Sequence, residues 1–229
     1  MKAEPPGGTV RERVLARDDI ENLTGQTPRH LLDCDLEEAD LSGLDLAGWT
    51  FERCSLRQAN LSGAQLEATV WRSCRGPFAS FIGSDLSEAS FSSTDLNNTM
   101  FKGANCDSAR FVQCKLTGAD LTDVRGADID LQETLLINAK IPGYSFRKAT
   151  LKRIDFSQAD LRKCDFRMAV FDECSLREAN VDGARFLGAD LRGCDLGGLR
   201  LEDANLFRGA TISREQAGQL LSELGINVR

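Results

Sequence analysis

Residues 159–193, cut into fives, read ADLRK CDFRM AVFDE CSLRE ANVDG ARFLG ADLRG. The third place of every unit is Leu, Phe or Val, and the first is Ala or Cys. The remaining places are mostly charged or polar. A period of five matches neither the alternation of a strand nor the 3.6 of a helix. It requires a turn in each unit. Extended outward, every fifth position from Leu31 to Leu206 gives 36 residues, and all but Gly76, Cys106 and Gly126 are Leu, Phe, Ile, Val or Trp. The frame does not slip anywhere in that stretch, and a column of small residues sits two places before the large ones.

The cysteines set the number of units per turn. Cys34, Cys54, Cys74, Cys114, Cys174 and Cys194 follow one another at intervals of 20, 20, 40, 60 and 20 residues, all in the small column. A turn of 20 residues, four units long, stacks them on one face. The 36 large positions then make about nine coils, a rod of roughly 43 Å at the ~4.8 Å spacing of paired strands. Each coil buries its large side chains only against its neighbours, so stability is a sum of coil-to-coil contributions and the ends need caps.

These units, with ADLSG at 39–43, ANLSG at 59–63 and ADLTD at 119–123, resemble the pentapeptide-repeat family and its A(D/N)LXX consensus. The resemblance spans residues 31–210. It implies an all-β solenoid: a right-handed, four-sided β-helix with the large and small columns inside. The ending TISREQAGQLLSELGINVR resembles the C-terminal module of the Qnr and MfpA type, a dimer-forming helix on a rod that imitates DNA and binds type II topoisomerases. The uninterrupted frame, without the loops of Qnr proteins, is more like MfpA. Carried over, Leu220, Leu221, Leu224 and Ile226 are the expected homodimer seam, and Leu206, exposed with the backbone edge of an open final coil, is expected to join them.

Three regions depart from the pattern. Residues 122–145 keep the frame but place Gly126 at a large position and crowd the small column with Val124, Ile129 and Tyr144; we expect a distorted, continuous coil rather than an extruded loop. Gly76-Pro77 marks a second irregular rung. Residues 1–30 read as a tail, MKAEPPGG, followed by a capping helix. Thr9 with Glu12 matches a capping box there, with Val10, Val14 and Leu15 on the apolar side. Residues 211–229 read as a separate module, in which Ser213 and Gln216 form a second capping box and Gly225 ends the helix.

The whole chain has 229 residues, a formal charge of −7 and one histidine. No long apolar run or signal peptide is present, so a cytoplasmic protein is expected, without membrane contact. The acidic balance disfavours direct binding of nucleic acid. His30 alone excludes any site that needs two histidines, and it reads as a surface or capping residue. The eight cysteines form no C-x-x-C pair and read as small core residues. Neither cofactor nor metal is expected, nor catalysis.

The functional candidates are therefore carboxylates near the C-terminal end: Asp155, Asp160, Asp172, Glu173, Asp182, Asp190, Asp195, Glu202 and Asp203. Asp182, Glu202 and Asp203 share a face across adjacent coils. Arginines interrupt the series, and an A(D/N)L repeat supplies outward Asp automatically, so most should only solvate the rod. Two functions fit: a rod that binds DNA gyrase or topoisomerase IV and confers resistance to their inhibitors, or a generic interaction scaffold with another partner.

Overall fold

In the computed structural model the five-residue period becomes the side of a four-sided coil. The structure describes residues 8–25, 28–198, 205–223 and 225–227. Nine short strands, β1 (Thr9–Arg11), β2 (His30–Leu32), β3 (Thr50–Glu52), β4 (Val70–Arg72), β5 (Ser90–Ser92), β6 (Arg110–Val112), β7 (Asp130–Gln132), β8 (Thr150–Lys152) and β9 (Val170–Asp172), form one parallel sheet in chain order. From β2 onward the strands pair residues twenty positions apart, three per strand except between β7 and β8, where only Gln132 and Lys152 pair. The other three sides are joined by single parallel bridges at the same interval, such as Asp35↔Ser55, Asp40↔Asn60 and Asp45↔Gln65. The result is an all-β solenoid of about eight turns, one fewer than the frame count suggests, and a short helix α1 (Arg17–Glu21) and a longer one, α2 (Arg214–Glu223), sit at its ends.

The two inward columns fill the interior. Leu36, Leu61, Phe81, Phe101, Phe156 and Phe166 are buried, as are Ala59, Ala89, Ala159 and all eight cysteines, every one a free thiol. Because the turn is constant, aromatic rings stack directly over one another. Phe91 and Phe111 lie 4.8 Å apart and within 1° of parallel, and Phe146, Phe166 and Phe186 follow at 5.1 and 5.0 Å. Rings so arranged add ~0.5–1.5 kcal/mol per pair beyond the area they bury.

Each corner is turned by the residue two after the large one, which takes a left-handed backbone whether or not it is glycine: Gln58 at φ 57°, Gln158 at φ 59°. For a residue with a Cβ that costs on the order of 1–2 kcal/mol. The outward Asp or Asn offsets it. Asp40 Oδ1 accepts the Ser42 N–H at 3.1 Å, Asp120 that of Thr122 at 2.9 Å, and Asp155 that of Ser157 at 2.9 Å. These side chains therefore close turns, which corrects the reading of them as mere solvation. At Asp165 the turn is reinforced by two cations: the Arg167 side chain chelates the carboxylate and Arg185 Nη2 donates to it at 3.0 Å.

Both ends differ from expectation by one residue. Thr9 does not cap a helix; Thr9–Arg11 is a strand registered on His30–Leu32, twenty-one positions on, and Glu12 is left-handed. Val10, Leu15 and Ile20 continue the five-residue spacing backward, with Leu15 and Ile20 buried and Val14 exposed. Helix α1 occupies one side of this first coil, and the Ala16 N–H donates to Asp19 Oδ2 at its start. At the other end the bridge Asp190↔Thr211 again spans twenty-one residues. Phe207, rather than Leu206, continues the ring stack, 4.4 Å from Phe186. Large position 201 lies outside the described residues.

The chain through 122–145 is continuous, with Asp120↔Lys140 and Gln132↔Lys152 in register on either side. Gly76 also keeps its rung, donating to Asp95 O at 2.7 Å.

Phe166→Ala should cost about 3–5 kcal/mol in urea unfolding, because its ring touches Phe146, Phe156, Phe171 and Phe186. Asp172→Asn, on the exposed side of the same coil stack, should leave the midpoint almost unchanged; equal shifts would reject the assignment of inside and outside.

The Arg167 guanidinium beside Asp165 holds its carboxyl below its ordinary value of 3.8. A carboxyl lowered by folding adds stability above its unfolded pKa and loses it as the pH falls through the folded value. Asp165→Asn should accordingly lower the melting temperature at neutral pH and narrow the gap to the parent under acid. A gap independent of pH would show that the pairing is without effect.

Candidate functional site

The outer surface of the last coils separates the candidate carboxylates by their hydrogen bonds. Asp155, Asp160, Asp190 and Asp195 each precede a large residue and fold back on the N–H two positions later, of Ser157, Arg162, Arg192 and Gly197. Three of them are also paired. Arg162 lies 2.7 Å from Asp160, Arg192 2.6 Å from Asp190, and Arg177 2.8 Å from Asp195. The Arg162 and Arg192 guanidinium groups hold the Asp160 and Asp190 carboxyls below the usual carboxylate range. Such a pair presents little net charge to a partner.

Asp172, Glu173 and Asp182 differ. They follow the large residue instead of preceding it, so their side chains close no turn, and all three are exposed. None of the three side chains has an ion-pair partner among the described residues. Among these candidates the acids after the large residue are the available ones, although elsewhere on the rod Glu37, in the same place, is paired with Arg57 at 3.0 Å. Glu202 and Asp203 lie outside the described residues.

The C-terminal module is built onto the last coil. Ser213 and Gln216 form the reciprocal cap, with Ser213 N donating to Gln216 Oε1 at 2.7 Å and Gln216 N to Ser213 Oγ at 3.1 Å. The same Gln216 amide then donates to Leu191 O and Cys194 O at 2.7 and 2.6 Å. It satisfies two carbonyls of the open solenoid end, a role its capping-box position did not disclose. Glu223 Oε2 accepts the Gly198 N–H at 2.9 Å from the far end of α2. Of the expected seam, Leu206 and Leu220 pack against the chain's own core, whereas Leu221 and Ile226 are 37% and 48% exposed. Leu224 lies outside the described residues.

The remaining reactive groups are withdrawn from solvent. Burial pushes the Cys106 and Cys164 thiols up to about 12, and those of Cys114 and Cys174 to about 11. A thiol so raised is no nucleophile at neutral pH. His30 sits in β2, with Nε2 3.4 Å from a Glu52 carboxylate oxygen in β3, and helps join the second coil to the third.

The solenoid fold has a counterpart among solved structures. Full-length QnrB1, a plasmid-mediated fluoroquinolone resistance protein, superposes with a TM-score of 0.55 at 20% identity, covering 96% of this chain and 98% of that one. HetL, involved in heterocyst differentiation regulation in the cyanobacterium Nostoc sp., gives 0.46 at 20% identity over 86% of this chain and 94% of its own. No curated protein sequence matches the chain. The family profile described as Pentapeptide repeats matches in eight copies, over residues 34–70 and, in overlapping segments, 79–206. With those segments covering most of its length, the chain belongs to the pentapeptide-repeat family.

Proposed function

We propose that this rod binds a type II topoisomerase, DNA gyrase or topoisomerase IV, and protects it from inhibitors without catalysing a reaction. The observation that carries the reading is the set of unpaired, exposed acids Asp172, Glu173 and Asp182 on the coils next to the C-terminal module. A protein that handles DNA offers a basic saddle, and unpaired carboxylates on a straight scaffold would steer the rod into it. The fold shared with QnrB1, itself a resistance protein, supports the choice of partner. Joining two rods through Leu221, Ile226 and the rest of the C-terminal seam would set their acids symmetrically about a two-fold axis, matching a two-fold enzyme. Cytoplasmic residence follows from such a partner; no described helix is long and apolar enough to cross a membrane.

The second reading, a scaffold for some other protein, is favoured by the arginine clamps on Asp160, Asp190 and Asp195, which remove charge a DNA imitation would need.

Supercoiling by gyrase in the presence of a fluoroquinolone decides between them. The parent should restore supercoiling, and the Asp172→Asn, Glu173→Gln, Asp182→Asn triple variant should restore it less and with a weaker dependence on salt. The triple should melt like the parent. Protection equal to the parent's at low and high salt would put the scaffold reading first.

The seam has a separate readout. The parent should sediment as a dimer at micromolar concentration, and Leu221→Glu with Ile226→Glu should sediment as a folded monomer. These two side chains are exposed in one chain, so their loss spares the Gln216 cap. A monomeric parent would end the dimer proposal.

A further inference from the structure

Gly126 stands at a large inward position, between Cys106 one turn before and Phe146 one turn after, and its consequences run through two coils. Its φ is +109°, and a Cβ built there would lie 2.4 Å from Asp107 N and 2.6 Å from Asp107 Cα. Only a residue without a side chain lets this side of the coil collapse onto the coil before it. Toward the coil before it this side keeps the ordinary main-chain ladder and adds one side-chain bond. Cys106 N donates to Arg125 O at 2.8 Å, Ser108 N to Ala127 O at 3.0 Å, and Ala127 N to Asp107 Oδ1 at 2.8 Å.

The ladder kept on one side is lost on the other. The bridges Asn105↔Arg125 and Ser145↔Asp165 are present, but none joins Arg125 to Ser145 between them. In β7 and β8 only Gln132↔Lys152 pairs, where neighbouring strands pair three residues each. The regular pattern would have Gly126 N donate to Ser145 O, Asp128 N to Arg147 O and Ser145 N to Val124 O, and these bonds are not made. The single link across the gap is a side chain: Ile129 N donates to the Tyr144 hydroxyl at 3.3 Å. The Tyr144 ring, in the column reserved for small residues, rests 4.8 Å from Phe146. It fills part of the space that Gly126 leaves inside.

The opening is a cleft of about 530 Å³ lined by Asp123, Val124, residues 126–128, residues 142–145 and Arg147. That volume falls within the ~300–1,000 Å³ of ligand sites. Its long walls are two parallel strand edges with main-chain donors and acceptors that have no partner in the protein. Asp123 and Asp128 stand at the two corners that end the collapsed side, both exposed and without an ion pair among the described residues. Arg147 stands on the opposite wall, likewise unpaired.

We propose that this cleft binds a short extended peptide segment carrying a basic side chain, which adds as a strand between the two coils. Main-chain bonds to the residue 126 and 145 edges would supply the affinity, as in other strand additions. The excess of two carboxylates over one guanidinium selects Lys or Arg on the occupant. The site lies in the middle of the rod and does not depend on the topoisomerase reading.

The test uses the isolated full chain and three blocked peptides: Thr-Val-Lys-Val-Thr, its Glu-centred counterpart, and the Lys peptide N-methylated at alternate residues. Hydrogen exchange followed by NMR should show the Gly126, Asp128 and Ser145 amides slowed at least about tenfold by the Lys peptide at millimolar concentration. The N-methylated peptide, stripped of donors, should leave them unchanged. Asp123→Asn with Asp128→Asn, both on exposed corners, should weaken binding of the Lys peptide by about tenfold, which is ~1.4 kcal/mol. Absence of protection by the Lys peptide overturns the proposal. So does equal protection by the N-methylated or the Glu-centred peptide, since recognition would then rest on neither main chain nor charge. Because no topoisomerase is present, failure here leaves the supercoiling result to stand or fall alone.

Discussion

Everything in this molecule hangs on the parallel main-chain ladder between coils. A four-sided turn of constant length fixes each residue's neighbour twenty positions away, and that neighbour is of the same kind, inward large, inward small or outward. Side chains therefore stack on their own column, and inside the coil the columns meet one another across the core, as Phe166 meets Phe156 and Phe171. The stacked phenylalanines, the buried thiols in file and the rows of outward polar groups all follow from that one constraint. A coil has no core of its own to fall back on, and its main-chain bonds and its apolar contacts are made with the same two neighbours.

The same constraint explains how much of the fold can be read from the chain. The frame from Leu31 to Leu206 and the spacing of Cys34, Cys54 and Cys74 state the period and the number of sides without ambiguity. The ends are harder, because each inserts one residue. Val10, Leu15 and Ile20 are spaced by five, yet they are out of phase with Leu31, and a strict frame search passes over them in favour of a helix cap at Thr9. Leu206 fits the frame, but the ladder is already one residue out of register where Phe186 N donates to Leu206 O, and Phe207 takes the place in the ring stack.

The functional surface is legible only in part, for a physical reason. An aspartate is an aspartate in the sequence whether it precedes or follows the large residue. In the structure the first kind is bent onto its own turn and often held by an arginine, as at Asp160 and Asp190. The second kind closes no such turn: Asp172 and Asp182 are left to the solvent, whereas Asp33, in the same part of its unit, is held by Arg53 from the next coil. That distinction comes from the short reach of the side chain to the N–H two residues on, a rule the unit position could have supplied. Gln216 shows the opposite limit: its bonds to Leu191 and Cys194 cross more than twenty residues, and no local pattern announces them.

The collapsed side at Gly126 has a further consequence when the solenoid is regarded as a crystal in one dimension. A missing side chain in a lattice can act as a vacancy, healed within a cell or so, or as a dislocation, which shifts everything beyond it. Here the bridges at Asp120↔Lys140 and Gln132↔Lys152 enclose the fault, and the interval across it remains twenty. It is a vacancy. The translational phase of the rod is preserved, so surface columns on the N-terminal coils stay aligned with those on the C-terminal coils. A long partner lying along the rod would meet one continuous pattern on the intact sides, despite the fault in the middle of the fourth.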